Sequence, residues 1–160
     1  MEGKDHLDNV KLTTGGQTGI DRAVMDYCLD KHRPCGGWCP EGRRAEDGSI
    51  SLIYPVKELP GAGYAQRTFA NVRDSDATVI FYPGAMKGGT RKSYKYVKQE
   101  VKPVLLLDMS LLNTSGASRQ LSDFISRYRP AVLNISGPRE SEWSPGYDFC
   151  YDVLQRVFGK

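Results

Sequence analysis

Short apolar runs alternate along this chain with segments in which apolar residues recur at helical spacing. The first run, residues 10–14, favours a β-strand, and residues 20–28 carry apolar side chains three or four positions apart before Pro34. The continuous apolar run at residues 77–82 is rich in β-branched and aromatic side chains, which is typical of a buried parallel strand. The pattern therefore predicts β-strands that alternate with α-helices along the chain.

The same alternation continues to the end of the chain. It predicts further helices at residues 64–73, 88–101, 121–128 and 147–158, and further strands at residues 104–107 and 132–135. Ser144 and Pro145 predict an N-cap and first helical residue for the last helix. Strands that alternate with helices predict an α/β fold: a Rossmann-like three-layer sandwich with a mostly parallel central sheet and helices on both faces. We expect residues 1–160 to form a single domain.

One stretch breaks the alternation. Residues 36–63 contain six glycines, three prolines and little periodicity, and a loop of this length inside a compact domain is usually functional or disordered. We interpret residues 36–55 as functional, because they combine side chains that disordered linkers rarely combine. These side chains are Trp38, Cys39, Arg43, Arg44 and Glu46.

Composition and charge narrow the class of ligand. The 22 lysines and arginines exceed the 19 aspartates and glutamates by only three, so the charge does not by itself indicate nucleic acid or a membrane, and it suits an anionic small molecule. No apolar stretch approaches the roughly 20 residues of a membrane span, and residues 1–10 lack a signal-peptide core. We expect a cytoplasmic protein.

The four cysteines predict reduced thiols. Cys28, Cys35, Cys39 and Cys150 fall in different elements and lack the paired C-x-x-C spacing of zinc sites. The spacing of Cys35 and Cys39 leaves a metal or sulfur-ligand role open, but no second pair accompanies them. We therefore predict no metal ligand.

Two glycine-rich loops each connect a predicted strand to a predicted helix. Residues 15–22 read Gly-Gly-Gln-Thr-Gly-Ile-Asp-Arg, and residues 88–90 read Gly-Gly-Thr. Glycine lets the backbone approach a ligand, and the helix that follows offers unpaired N–H groups to an anion. The first loop matches neither the Walker nor the dinucleotide fingerprint. Both loops should lie beyond the carboxyl ends of the strands and predict a pocket for a phosphate-bearing small molecule. At the first loop we also expect Thr18 and Asp21 to form a helix capping box, whether or not the loop binds a ligand.

Arginine and aromatic side chains supply the other candidate contacts. Arg43 and Arg44 could fork onto phosphate oxygens and Trp38 could stack on a planar ring, or the arginines could pair with acidic neighbours in a solvated loop. Arg67 and Thr68 should share a helical face with Asn71. The predicted ligand-binding residues are Gly15, Gly16, Gln17, Thr18, Gly19, Asp21, Arg22, Trp38, Arg43, Arg44, Glu46, Arg67, Thr68, Gly88, Gly89 and Thr90. No catalytic residue is predicted.

Six segments together resemble the molybdenum cofactor carrier family. They are GGQTGIDR at 15–22, GGWCP at 36–40, GRRAEDG at 42–48, Arg67-Thr68 with Asn71-Val72, DSDA at 74–77 and GGT at 88–90. The resemblance implies the Rossmann-like fold of a wider group that includes lonely-guy-type phosphoribohydrolases and the DNA-processing protein. It also implies a homo-oligomer, a dimer or larger, and molybdenum cofactor (molybdopterin) as the ligand. The phosphoribohydrolase pattern PGGxGTxxE would need glutamate where this chain has Ser93.

Three functions follow from these residues. The first is a carrier that breaks no bond and holds a phosphate-bearing pterin or nucleotide-like ligand at the glycine loops. The second is an N-glycosidase acting on nucleotide 5′-monophosphates, with Asp21, Glu46 or Asp76 stabilising an oxocarbenium ion. The third, binding of single-stranded DNA, is disfavoured because the charge is modest and no aromatic residues are interleaved with the basic ones. The residues favour a non-catalytic carrier over an enzyme and leave N-glycosidase activity open.

Overall fold

The computed structural model describes residues 2–159. Its helices are α1 Glu2–Asn9, α2 Ile20–Lys31, α3 Tyr64–Arg73, α4 Gly88–Glu100, α5 Thr114–Tyr128 and α6 Gly146–Phe158. Its strands are β1 Lys11–Thr13, β2 Cys35–Gly36, β3 Trp38–Pro40, β4 Arg44–Ala45, β5 Gly48–Ser49, β6 Lys57–Leu59, β7 Ala77–Tyr82, β8 Val104–Asp108 and β9 Val132–Ser136.

The central sheet has five strands in the order β2-β1-β9-β7-β8, and every neighbouring pair is parallel. Along β7, Val79 and Phe81 pack into the core shared with α2, α5 and α6, whereas the buried Ile80 alternates to the opposite face. α3 and α4 pack together outside that core. Helices therefore cover both faces, and the predicted Rossmann-like α/β fold is confirmed.

The segment predicted to lack periodicity contains short strands. β3 and β6 pair in parallel, and β4 and β5 form an antiparallel hairpin. These elements enclose a second small apolar cluster beside the main core, formed by Met25, Cys39, Ala45, Ile50 and Val56. Strands of two or three residues are too short to show a period of two, so the sequence pattern does not predict them.

Three helix starts differ from the prediction. α5 begins at Thr114, well before the predicted helix at 121–128, because the Asn113 side chain caps it by accepting from Gly116 N. α6 begins at Gly146 with Pro145 as its N-cap, so Ser144 does not cap it. The N-terminal helix α1 was not predicted, because its sequence is almost entirely polar. No helix within residues 2–159 is long and apolar enough to cross a membrane.

Candidate functional site

A cavity of about 220 Å³ opens at the carboxyl edge of the central sheet. Its walls come from the loop after β1, one face of α3, the first turns of α4 and the segment after β9. Parallel strands place these connections at one edge, which is where ligands bind in open α/β sheets. The two glycine-rich loops predicted to meet at this edge do so, since Gly15 and Gly89 both line the cavity.

Arg67 is the buried cation of this cavity. The residue is only 7% exposed, and its Nη1 donates a long 3.5 Å hydrogen bond to Asp21 Oδ2. Its Nε has no partner among the described residues. Burial lowers the pKa of Arg67, and Asp21 offsets this only in part. A guanidinium carries five N–H donors, so most of the donor capacity of Arg67 is uncommitted.

Gly15 makes room for this arginine. A Cβ at Gly15 would lie 1.5 Å from Nη1 of Arg67, so any other residue would force the guanidinium out of its place. Asp21 accepts a second hydrogen bond from Gln17 N at 3.2 Å. Burial raises the pKa of Asp21, with Arg67 acting in the opposite direction. The first glycine loop thus holds a buried, loosely bonded ion pair against the cavity.

The start of α4 forms the facing wall. Gly88, Gly89 and Thr90 line the cavity with the first turn of the helix. Thr90 N donates to Lys87 O at 3.1 Å, whereas the N–H groups of Gly88 and Gly89 donate no hydrogen bond within residues 2–159. No acidic residue occupies this turn. Ser93 lies one turn further on, and its Oγ is 2.7 Å from Oγ of Ser136 at the end of β9. The positive end of a helix dipole and two hydroxyl groups therefore face the cavity.

The segment after β9 closes one side of the cavity. Arg139 Nε donates to Glu142 Oε1 at 2.9 Å, and both residues line the cavity. This hydrogen bond, more than any other contact, raises the pKa of Arg139. Thr68, Asn71 and Lys92 also contribute to the walls. The site therefore combines three cationic side chains with two carboxylates that are each already bonded to an arginine.

Thr18 and Glu46 lie outside the cavity walls and form hydrogen bonds to residues 140 and 141 of this segment. Thr18 Oγ1 bonds to Glu46 and accepts from Glu140 N at 3.0 Å, while Glu46 also accepts from Ser141 N at 3.1 Å and Ser141 Oγ at 2.6 Å. Desolvation raises the pKa of Glu46, but these hydrogen bonds outweigh it and hold the pKa below its ordinary value. The predicted capping box does not form, because Gly19 is the N-cap of α2 and the Thr18 hydroxyl serves this contact instead.

Arg43 lies outside the cavity walls with its donors occupied. Its guanidinium donates to the backbone carbonyls of Ile50, Ser51, Tyr54 and Val56 at 2.7–3.1 Å. The Arg43 side chain therefore stabilises the conformation of the loop in which it lies.

Five other predicted residues also lie away from the cavity walls. Arg22 pairs with Asp47 at 2.9 Å, and Trp38 Nε1 donates to Asp74 at 2.8 Å. Arg44 is exposed and lies 5.8 Å from the ring of Tyr64 at the rim. Gly16 and Gly19 belong to the first loop but not to the cavity surface; both have positive φ, 82° and 77°. These glycines shape the turn that leads into α2.

Some cavity residues were outside the predicted set. They are Tyr64, Ala65, Asn71, Lys92, Ser93, Asn134, Ile135, Ser136, Gly137, Arg139 and Glu142. The sequence does place residues 136–140, which follow the last predicted strand, at this edge of the sheet, where Arg139 could approach an anion. Lys92 and Ser93 directly follow the second glycine loop, so their positions were also a readable signal. No sequence signal indicated the position of Glu142, because only the turn after residue 139 brings this residue back to the cavity.

Comparison with known proteins decides the family. Residues 12–158 match the circularly permutated YpsA SLOG family. The chain belongs to this family. A solved structure with the same fold, at 1.45 Å resolution, is that of a protein from Syntrophus aciditrophicus SB named "putative molybdenum carrier protein". The two chains are 37% identical, with a TM-score of 0.90 over 94% of this chain and 95% of the other. These findings confirm the resemblance read from the motifs, whereas no curated protein matches the chain.

Proposed function

We propose that this member of the family is a carrier that holds molybdopterin, the organic part of the molybdenum cofactor, by its phosphate in the main cavity. The observation that carries the proposal is Arg67, a buried guanidinium with one long hydrogen bond and a partnerless Nε at the cavity wall. Burying a cation in this state is costly unless a ligand completes its bonding. The name of the Syntrophus protein supports molybdenum as part of the cargo.

The charges favour a phosphate at the Arg67 end of the cavity. Arg139 is neutralised by Glu142, whereas Lys92 has no ion-pair partner within residues 2–159 and stands on the first turns of α4. A phosphate between Arg67 and α4 would meet a guanidinium, an ammonium and helix N–H groups. We therefore assign the main contacts to the phosphate; residues 2–159 hold no group of three or more His, Cys, Asp and Glu suited to a metal.

N-glycosidase activity is the second candidate function, because of the position of Asp21. Of the three carboxylates that could stabilise an oxocarbenium ion, Asp21 alone lines the cavity. Glu46 is bonded to Ser141, and Asp76 accepts from the N–H groups of residues 131 and 132 at the opposite edge of the sheet. Release of free base from a panel of nucleotide 5′-monophosphates, abolished in Asp21→Asn, would establish this activity. No release from any of them would exclude it.

Native mass spectrometry of protein purified anaerobically from molybdate-supplied cells tests the carrier. We expect a bound mass of molybdopterin or its molybdenum form, and an oligomer that is a dimer or larger. Lys92→Gln should lower the bound fraction several-fold. Arg91→Gln, the same charge change one residue earlier on an exposed position outside the cavity, should leave it unchanged. Protein with no pterin mass, which also takes up no added pterin phosphate, would refute the proposal.

A further inference from the structure

A second, smaller cavity of about 90 Å³ adjoins the main one. Thr90 and Glu142 line both cavities, so the two lie side by side, and we call the pair the cleft. The other walls of the small cavity are Tyr82, Pro83, Ala85, Lys87 and Pro138. Two prolines, an alanine and a tyrosine ring provide flat, mostly apolar surfaces of the kind that suits a planar ring.

Glu142 places a carboxylate on the wall between the two cavities. Its Oε1 accepts from Arg139 Nε, and its Oε2 accepts no hydrogen bond within residues 2–159. This free oxygen lies 3.9 Å from the position that a Cβ on Gly88 would occupy, at the start of α4. The side chain is 28% exposed, so the carboxylate is partly shielded from solvent yet reachable from the cleft.

The two ends of the cleft differ in their charged groups: Arg67 lines only the main cavity, Lys87 lines only the small cavity, and Glu142, which is paired with Arg139, lines both. Lys87 is exposed to solvent, whereas Arg67 is buried with most of its donors unbonded, so a phosphate is attracted more strongly to Arg67. We therefore expect a ligand with a phosphate at one end and a neutral ring at the other to place its ring beside Glu142. This orientation rests on the proposed phosphate site at Arg67.

We propose that the small cavity is a ring subsite in which Glu142 recognises a heterocycle with a ring N–H next to an exocyclic amino group. Oε2 and the second lone pair of Oε1 can accept these two parallel donors, as a carboxylate does from an arginine fork. The 2-amino-4-oxo edge shared by pterins and guanine has this donor pattern. Inosine lacks the amino group, so Glu142 sets specificity between rings of otherwise similar shape.

Isothermal titration calorimetry with four phosphate monoesters tests the subsite. GMP and IMP differ only in the 2-amino group, and ribose 5-phosphate lacks the heterocyclic base. Neopterin monophosphate carries the 2-amino-4-oxo edge on a pterin. The wild-type protein should bind GMP about tenfold or more tighter than IMP, because a site built to accept a hydrogen bond rejects the analogue that lacks the donor. Whichever of GMP and neopterin monophosphate binds tighter identifies the ring that fits.

Glu142→Gln should reduce the GMP preference to about twofold or less, because an amide replaces one acceptor oxygen with a donor. Its affinity for ribose 5-phosphate should not fall, since the substitution removes a negative charge from the cleft. Glu140→Gln is the matched control: it makes the same change on an exposed neighbour outside both cavities, and the preference should persist.

Equal binding of GMP and IMP by wild type, or a preference that survives in Glu142→Gln, would overturn the ring subsite while leaving the phosphate site standing. Failure of all four compounds to bind would overturn the phosphate site and the subsite together.

Discussion

Replacing Gly89 with alanine adds one methyl group to the wall of the main cavity and separates stability from binding. Gly89 is the second residue of α4, and a Cβ built there has no heavy atom within 4 Å. The free protein therefore accommodates the methyl group without a clash. Alanine loses less conformational entropy than glycine when a helix forms, by about 0.5–1 kcal/mol. We expect Gly89→Ala to raise the free energy of unfolding by about 0.5 kcal/mol, or roughly 1–2 °C in Tm.

Ligand binding should change in the opposite direction. The methyl group would occupy space through which a phosphate approaches the N–H groups of the first turn. Loss of one charge-assisted hydrogen bond costs about 1.5–3 kcal/mol, which weakens Kd by about 10- to 150-fold. Calorimetric titration with ribose 5-phosphate measures Kd, and urea unfolding measures stability on the same samples.

Gly3→Ala provides the matched control. Gly3 is the second residue of α1, and a Cβ there also has no heavy atom within 4 Å. The stability gain should be similar, but affinity should be unchanged because α1 lies outside the cavity. An affinity in Gly89→Ala equal to that of wild type would show that no ligand approaches the start of α4, and would refute the placement of the phosphate.

Three further substitutions test other parts of the site. Arg43→Ala should lower the free energy of unfolding by about 2–4 kcal/mol in urea titrations, because four carbonyls lose a charged donor. The control Arg44→Ala should change the free energy of unfolding by less than about 0.5 kcal/mol. A loss of ligand affinity in Arg43→Ala without destabilisation would contradict this structural role of Arg43. Arg67→Lys keeps the charge but removes the planar fork, so ribose 5-phosphate should bind about tenfold more weakly or worse, and an unchanged Kd would remove Arg67 from the site. Glu46 has a lowered folded-state pKa, so its stabilising contribution is present above the ordinary glutamate pKa and is lost as the pH falls through the folded-state pKa. Unfolding free energies of Glu46→Gln should therefore depend on pH less than those of wild type in the acid range, and parallel curves would count against the contact with Ser141.

The local sequence pattern was sufficient to predict the fold class and the edge of the sheet at which the candidate site lies. The predicted helix at 64–73 and strand at 77–82 coincide with α3 and β7. The periodicity of α3 records which of its faces is buried, and the continuous apolar run of β7 records burial on both faces; both are properties of neighbouring residues in the sequence. Parallel topology then brings the two glycine loops to one edge without further information.

Only the tertiary structure decided which arginine faces the cavity. Arg43 and Arg67 are equivalent as sequence signals for an anion, yet Arg43 bonds to carbonyls seven to thirteen residues away, whereas Arg67 crosses Gly15 to meet Asp21, 46 residues distant. Glu142 likewise reaches the cleft only through the turn after Arg139. Local spacing determines helices, strands and loop positions, but the partners of a long polar side chain depend on which distant backbone packs beside it.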